Sequence, residues 1–246
     1  LENDTEEIFI TKEQISSEIG KQDITAIDTV MDSVEDKGTE NDNEVISNDA
    51  QSIRNFVITQ DILGIGSSKE KFQRNISAIH TLKKIELENR VATEEEQKIL
   101  SWYVGWGGLS EAFDERKDTW STEYLKLKEV LSEEEYASAR ESTLNAHYTS
   151  PVIIRSIYNA LDKFGFEKGN ILEPAMGIGN FLGMLPEQMA ESRLYGVELD
   201  GLTGRIAKQL YPNSNITISG FEKVDYPNNF FDIAIGNVPF GQYKVT

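Results

Sequence analysis

The segment Asn-Ile-Leu-Glu-Pro-Ala-Met-Gly-Ile-Gly-Asn-Phe, residues 170–181, decides the fold of this 246-residue chain. Its short apolar run predicts a buried strand that ends at Glu173, and the run is followed by a turn with Gly177 and Gly179. A strand, a glycine turn and a helix in this order let the backbone approach a nucleotide-like ligand. The dinucleotide fingerprint is incomplete, because Leu182 stands at the third glycine position.

Three further strands are predicted downstream of this turn. The run 194–200 ends in acidic residues, and Glu198 has the position expected of a residue that hydrogen-bonds ribose hydroxyls. Asp200 is the alternative for that role, and it is also placed to cap the next helix. Residues 215–219 predict a third strand, and Phe221 follows it.

The last predicted strand lies within residues 231–241 and leads into Asn237-Val238-Pro239-Phe240-Gly241. The amide of Asn237 offers one acceptor and two donor hydrogens, and Pro239 fixes the backbone around it. Phe240 offers a flat face on which a planar base or amide could stack. A simple turn after a strand is the alternative interpretation of these residues.

The alternation of strands and helices over residues 146–246 predicts an α/β fold with a doubly wound parallel sheet. Ligands of such sheets bind at the carboxyl ends of the strands, where the polar and aromatic residues named above fall.

Residues 51–145 predict a helical region. Capping boxes begin at Thr93 and Ser132, and a further helix is predicted near residues 69–89. Between the two capping boxes, residues 102–109 combine three glycines with two tryptophans. Tight packing between helices is the preferred interpretation of this loop, and a wall of the ligand site is the alternative.

Residues 1–50 carry 15 acidic and 3 basic residues, and their only aromatic residue is Phe9. Such a segment buries too little apolar surface to offset its chain entropy, so we expect it to be disordered. The chain has no cysteine and two histidines, so no metal site is expected. No apolar run suits a membrane span, and no leader opens the sequence; we therefore expect a cytoplasmic protein without membrane contact.

The motifs in residues 146–246 together resemble those of S-adenosylmethionine-dependent amino-methyltransferases of the N6-adenine type, with Val238 in place of the usual proline. The resemblance implies a Rossmann-like methyltransferase sheet and S-adenosylmethionine as cofactor. It implies catalytic roles for Asn237, Val238, Pro239 and Phe240. The cofactor-binding residues that it implies are Tyr148, Thr149, Glu173, Pro174, Gly177, Gly179, Phe181, Glu198 and Phe221.

Residues 51–246, and above all 103–109 and 237–241, are similar to the methyltransferase module of large phage and mobile-element proteins that also carry a Swi/Snf-type helicase. The resemblance implies DNA as the substrate, a helicase in the same polypeptide and an antirestriction role. We expect further sheet strands after residue 246, and hence a fragment that is inactive by itself. The alternatives are methylation of RNA or of a protein glutamine, and a non-catalytic module that binds nucleic acid or protein.

Overall fold

A computed structural model describes residues 53–59, 65–143 and 149–237, which belong to one compact unit. The predicted disordered segment 1–50 lies outside these residues. No helix within the described ranges has both the length and the apolar character that a membrane span needs.

Within the described residues, five α-helices precede the sheet. They are α1 (Ser68–Leu87), α2 (Glu94–Leu100), α3 (Ser121–Val130), α4 (Glu133–Ser142) and α5 (Pro151–Lys163). Both predicted capping boxes are present, at the starts of α2 and α4, and a third one begins α1 at Ser67. In each box the side chain at the cap and the glutamate three residues later bind each other's backbone N–H.

The glycine- and tryptophan-rich loop 102–109 is packed against α1. The amide of Asn75 accepts a hydrogen bond from the backbone N–H of Val104 and donates one to the carbonyl of Gly105. The Trp106 ring is buried and meets three other rings, those of Phe72, Tyr103 and Phe113. The loop is therefore a packed connection between helices, as the preferred interpretation of its sequence predicted.

Four parallel strands form one sheet in the order β3-β2-β1-β4. The strands are β1 (Asn170–Glu173), β2 (Arg193–Glu198), β3 (Asn215–Ile218) and β4 (Ile233–Ala234), with α6 (Asn180–Gly183) after β1 and α7 (Gly201–Leu210) after β2. The predicted α/β fold with a Rossmann-like parallel sheet is confirmed.

The strand register assigns the two faces of the sheet. Gly196 on β2 pairs with Ile216 on β3, and Glu198 pairs with Ile218, so the side chains of Ile216, Glu198 and Ile218 share one face with the open position at Gly196. That face carries α7, because a Cβ added at Gly204 of α7 would lie 2.7 Å from Ile218. Tyr195 points to the opposite face. There it meets the rings of the β3–β4 connection, Tyr226, Phe230 and Phe231.

The extended segment 53–59 joins the helical part to the α/β part. The N–H of Phe56 donates to the carbonyl of Leu210 at 2.7 Å, and that of Ile58 donates to the carbonyl of Gly183 at 2.7 Å. The buried amide of Gln97 on α2 donates to the carbonyls of Arg54 and Gln209. The segment therefore crosses the ends of α6 and α7.

Candidate functional site

The turn after β1 requires its glycines. Gly177 and Gly179 have φ angles of 58° and 85°, in the left-handed region that favours glycine. A Cβ added at Gly179 would also lie 2.6 Å from Cε2 of the buried Tyr211. The turn is therefore packed closely against Tyr211, at the carboxyl end of β1.

Glu198, the last residue of β2, binds this turn directly. Its Oε2 accepts the N–H of Gly177 at 2.7 Å, and its Oε1 accepts the N–H of Asp200 at 2.8 Å. Burial raises the pKa of the Glu198 carboxyl, and the two backbone N–H groups oppose that shift. Each carboxylate oxygen retains a lone pair, so the side chain can still accept hydrogen bonds from two hydroxyl groups.

Asp200, the alternative candidate for ribose binding, has another role. Its Oδ2 accepts from the N–H of Thr203 at 2.8 Å and from the Thr203 hydroxyl at 2.6 Å, which caps α7. Its Oδ1 accepts from the hydroxyl of Ser138 at 2.6 Å. Both carboxylate oxygens of Asp200 are thus engaged by the protein.

Glu173, the last residue of β1, is 3% exposed, and its Oε2 has no hydrogen-bond partner among the described residues. Burial, together with the nearby charge of Glu198, raises the pKa of the Glu173 carboxyl well above its usual value. The charge of Glu173 in turn contributes to the raised pKa values of Tyr158 and Tyr211, so all three side chains lie close together. A buried acceptor of this kind is suited to a cationic donor.

Two exposed apolar side chains stand at the same edge of the sheet. Phe221, which follows β3, is 47% exposed, and Leu199, which follows β2, is 74% exposed. Together they offer an apolar surface on which a planar ring could lie. Sequence reasoning identified Phe221 but missed Leu199, although a leucine between two acidic residues at a strand end was a visible signal.

Asn237 is exposed and lies beyond β4, the strand that pairs with β1. The N–H of Ile235 donates to the carbonyl of Leu172 at 2.8 Å. A Cβ added at Gly236 would lie 3.6 Å from Cδ of Pro174. The residues that precede Asn237 therefore lie directly beside the glycine turn.

The remaining predicted site residues are placed as follows. Phe181 is buried under α5, where its carbonyl accepts from the Tyr158 hydroxyl at 2.8 Å. Thr149 is half-buried, and Ser150 occupies the cap position of α5 without a side-chain hydrogen bond. No group of three or more His, Asp or Glu side chains within the described ranges could hold a metal ion. Four residues lie outside the described residues: Tyr148, Val238, Pro239 and Phe240.

Comparison with known proteins identifies two viral relatives, while no family model matches. Over 180 residues the chain is 28% identical to defense against restriction protein B of Escherichia phage P1. The alignment covers 72% of this chain and 6% of the phage protein. Over 104 residues it is 33% identical to the type II methyltransferase M.CvrRI of Paramecium bursaria Chlorella virus XZ-6E. This alignment covers 42% of this chain and 26% of the viral methyltransferase. The chain thus spans only a small part of either relative. Since residues 146–246 are fewer than 180, the phage match also extends into the helical part.

Among solved structures, the chain is similar to a Listeria monocytogenes protein described as a class I S-adenosylmethionine-dependent methyltransferase. The sequence identity is 17% and the TM-score is 0.32, over 71% of this chain and 61% of that one. A likeness of this size adds nothing to the fold, which the sheet order and register establish on their own.

Proposed function

We propose that the carboxyl edge of this sheet binds S-adenosylmethionine, and that the chain belongs to an amino-methyltransferase that acts on adenine N6 in DNA. One observation carries the proposal. Four residues that were singled out by separate sequence motifs stand at, or three positions after, the carboxyl ends of the four paired strands. They are Glu173, Glu198, Phe221 and Asn237.

The protein groups at this edge match the cofactor in order. The unpartnered Oε2 of Glu173 suits the ammonium group, and the free lone pairs of Glu198 suit the ribose hydroxyls. The exposed apolar side chains of Leu199 and Phe221 could pack against the adenine ring. The proposed cofactor also agrees with the similarity to a viral type II methyltransferase.

When bound, S-adenosylmethionine supplies an electrophilic methyl group. In the proposed mechanism, the side-chain oxygen of Asn237 and the carbonyl of Val238 accept the two hydrogens of the target amino group. The amino nitrogen would then form the new bond to the methyl carbon as the methyl–sulfur bond breaks, S-adenosylhomocysteine would leave, and the surplus proton on the nitrogen would pass to water. Positioning would be the main contribution of the protein. Phe240 stacks on a base that has been flipped out of the duplex.

DNA as the substrate is supported by the resemblance of the motif around Asn237 to that of N6-adenine methyltransferases. The name of the phage P1 relative also refers to defense against restriction. Methylation of adenine would fit such a role, because a methylated site can escape an endonuclease that recognises its unmodified form. A helicase module in the same polypeptide remains a prediction, as does the action of this segment within a larger mobile-element protein.

The cofactor assignment is tested by calorimetric titration of S-adenosylmethionine into the chain and into Glu198→Ala. We expect the variant to bind at least about tenfold more weakly, because a charged acceptor of two hydroxyls is lost. Glu187→Ala is the matched control, since Glu187 is an exposed glutamate that has no part in the proposed site and should leave the affinity unchanged. Equal affinities of wild type and Glu198→Ala would contradict the ribose assignment.

The substrate is tested with cofactor that carries a labelled methyl group and with three acceptors: duplex DNA, RNA and cell protein. We expect the label in a product that DNase degrades and proteases leave intact. Label in a protease-sensitive product would favour a glutamine substrate. Cofactor binding without transfer to any acceptor would favour the alternative of a non-catalytic binding module.

A further inference from the structure

A continuous hydrogen-bonded chain runs from the helical part of the protein into the glycine turn. The hydroxyl of Ser138 on α4 donates to Oδ1 of Asp200 at 2.6 Å. The backbone N–H of Asp200 donates to Oε1 of Glu198, and Oε2 of Glu198 accepts the N–H of Gly177. Four residues that are distant in sequence thus form one relay, which we call the Ser138 relay.

The same end of α7 is held by the helical part at further points. Arg205, one turn into α7, pairs with Glu86 of α1 at 3.1 Å and with Glu135 of α4. Glu135 also pairs with Lys83 at 2.7 Å. Tyr103 of the packed loop lies near Asp200, because the charge of Asp200, after burial, helps to raise the pKa of the tyrosine. The first turn of α7 therefore has little freedom to move.

We propose that Ser138 is a positioning residue of the cofactor site and that the helical part of the protein aligns Glu198 through the Ser138 relay. The hydroxyl of Ser138 fixes the carboxylate of Asp200, which fixes the backbone N–H that Oε1 of Glu198 accepts. Glu198 is then held with its remaining lone pairs toward the ribose. The inference rests on the proposed function for the identity of the ligand. The hydrogen bonds of the relay are present without a ligand.

The relay gives the helices α1–α4 a role in ligand binding. Helices that only complete a core would stabilise the site and its surroundings alike. A relay that ends on one carboxylate instead affects the part of the ligand that this carboxylate contacts. The two cases are therefore distinguishable with ligands that differ only in their ribose hydroxyls.

The first experiment needs no ligand. Amide hydrogen exchange of Gly177 is measured by NMR in the wild type, in Ser138→Ala and in Ser142→Ala. Ser142 is the matched control, because it is a half-buried serine on the same helix whose hydroxyl donates only to the carbonyl of Ala139. We expect Gly177 to exchange about three- to tenfold faster in Ser138→Ala alone, since its acceptor is less firmly held. Unchanged exchange would overturn the relay.

The second experiment titrates S-adenosylhomocysteine and its 2′,3′-dideoxyribose analogue into the same proteins. Ser138→Ala should bind the first ligand about five- to tenfold more weakly and the analogue with unchanged affinity. Ser138→Thr keeps the hydroxyl and should restore the affinity. Equal losses for both ligands would show a merely structural effect and overturn the proposal. If the wild type bound neither ligand, the proposed function would fail, and the exchange rates would still decide the relay.

Discussion

The helical part, residues 65–143, and the α/β part, residues 149–237, treat their buried polar groups differently. In the helical part, buried amides such as those of Asn75 and Gln97 are fully engaged with backbone groups. In the α/β part, Glu173, Asn180 and Tyr211 each bury a side-chain oxygen without a partner. Among the described residues, these are three of the four such atoms, and the fourth is Nε1 of Trp106.

The difference shows which part of the protein contains groups that lower its stability. Buried polar atoms without partners are rare in folded proteins and destabilise them by about 1–3 kcal/mol each. Tyr211 lies against the glycine turn, and Glu173 and Asn180 stand at the two ends of the loop that contains this turn. Buried polar atoms without partners often mark functional sites, and their position in the α/β part agrees with the binding edge proposed above.

The largest effect on function without an effect on stability is predicted for Asn237→Ala in the α/β part. We expect methyl transfer to fall by about a hundredfold or more, because the target amino group loses its oriented acceptor. Cofactor affinity and thermal stability should stay at the wild-type level, since Asn237 is exposed. The measurement is transfer of labelled methyl groups to DNA by the longest available form of the protein. The control is Asn228→Ala, also exposed; undiminished transfer by Asn237→Ala would remove the catalytic assignment.

The opposite pattern is predicted for Asn75→Ala in the helical part. Its amide joins two backbone groups of the loop 102–109, so its loss should destabilise the protein by about 2–3 kcal/mol. The free energy of unfolding in urea measures the effect. Gln73→Ala, an exposed position on the same helix, should change it by less than about 0.5 kcal/mol. Equal effects of the two variants would refute the claim that this half depends on satisfied buried groups.

Glu173→Gln should stabilise the protein and weaken its binding of the cofactor. A raised pKa means that the folded state keeps its proton to higher pH than the unfolded chain, whose usual value is 4.5. The associated stabilisation is complete below that value and is lost as the pH rises through the folded-state pKa.

The unfolding free energy of Glu173→Gln relative to wild type should therefore grow between pH 5 and pH 8, to about 1–2 kcal/mol. Urea titrations at several pH values measure it, with Glu222→Gln as the exposed control. A variant that is less stable than wild type at pH 8 would show that the carboxylate has a partner within the protein.

The smallest effect is predicted for Phe221→Ala. Loss of one stacking surface should reduce cofactor affinity about three- to tenfold, which corresponds to about 1 kcal/mol. Stability should hardly change, because the ring is half exposed. Calorimetry compares it with Phe164→Ala, an even more exposed phenylalanine at the end of α5 that should not alter binding. Identical affinities of all three proteins would place the adenine ring elsewhere.

Much of this organisation was predictable from local sequence. The capping boxes at Thr93 and Ser132 were correct because their hydrogen bonds join residues three positions apart. The helices α1, α2 and α4 and the strands β1–β3 follow the predicted order, whereas α3 was not predicted, and the observed β2 ends at Glu198 rather than at Asp200. The preferred packing interpretation of the loop 102–109 also agrees with the structure, since glycines beside large rings favour a close backbone approach.

The sequence by itself determined the alternation of strands and helices, the glycine turn and the acidic residues at two strand ends, because periodicity and turn chemistry are local properties. The tertiary structure decided the partners of these acidic residues. The register of β1 with β2 pairs Glu173 with Gly196, and the cap of α7 occupies Asp200. It also turned Phe181 inward and brought Ser138 to Asp200 across 62 positions. Such contacts depend on the pairing and packing of distant segments, which no local pattern encodes.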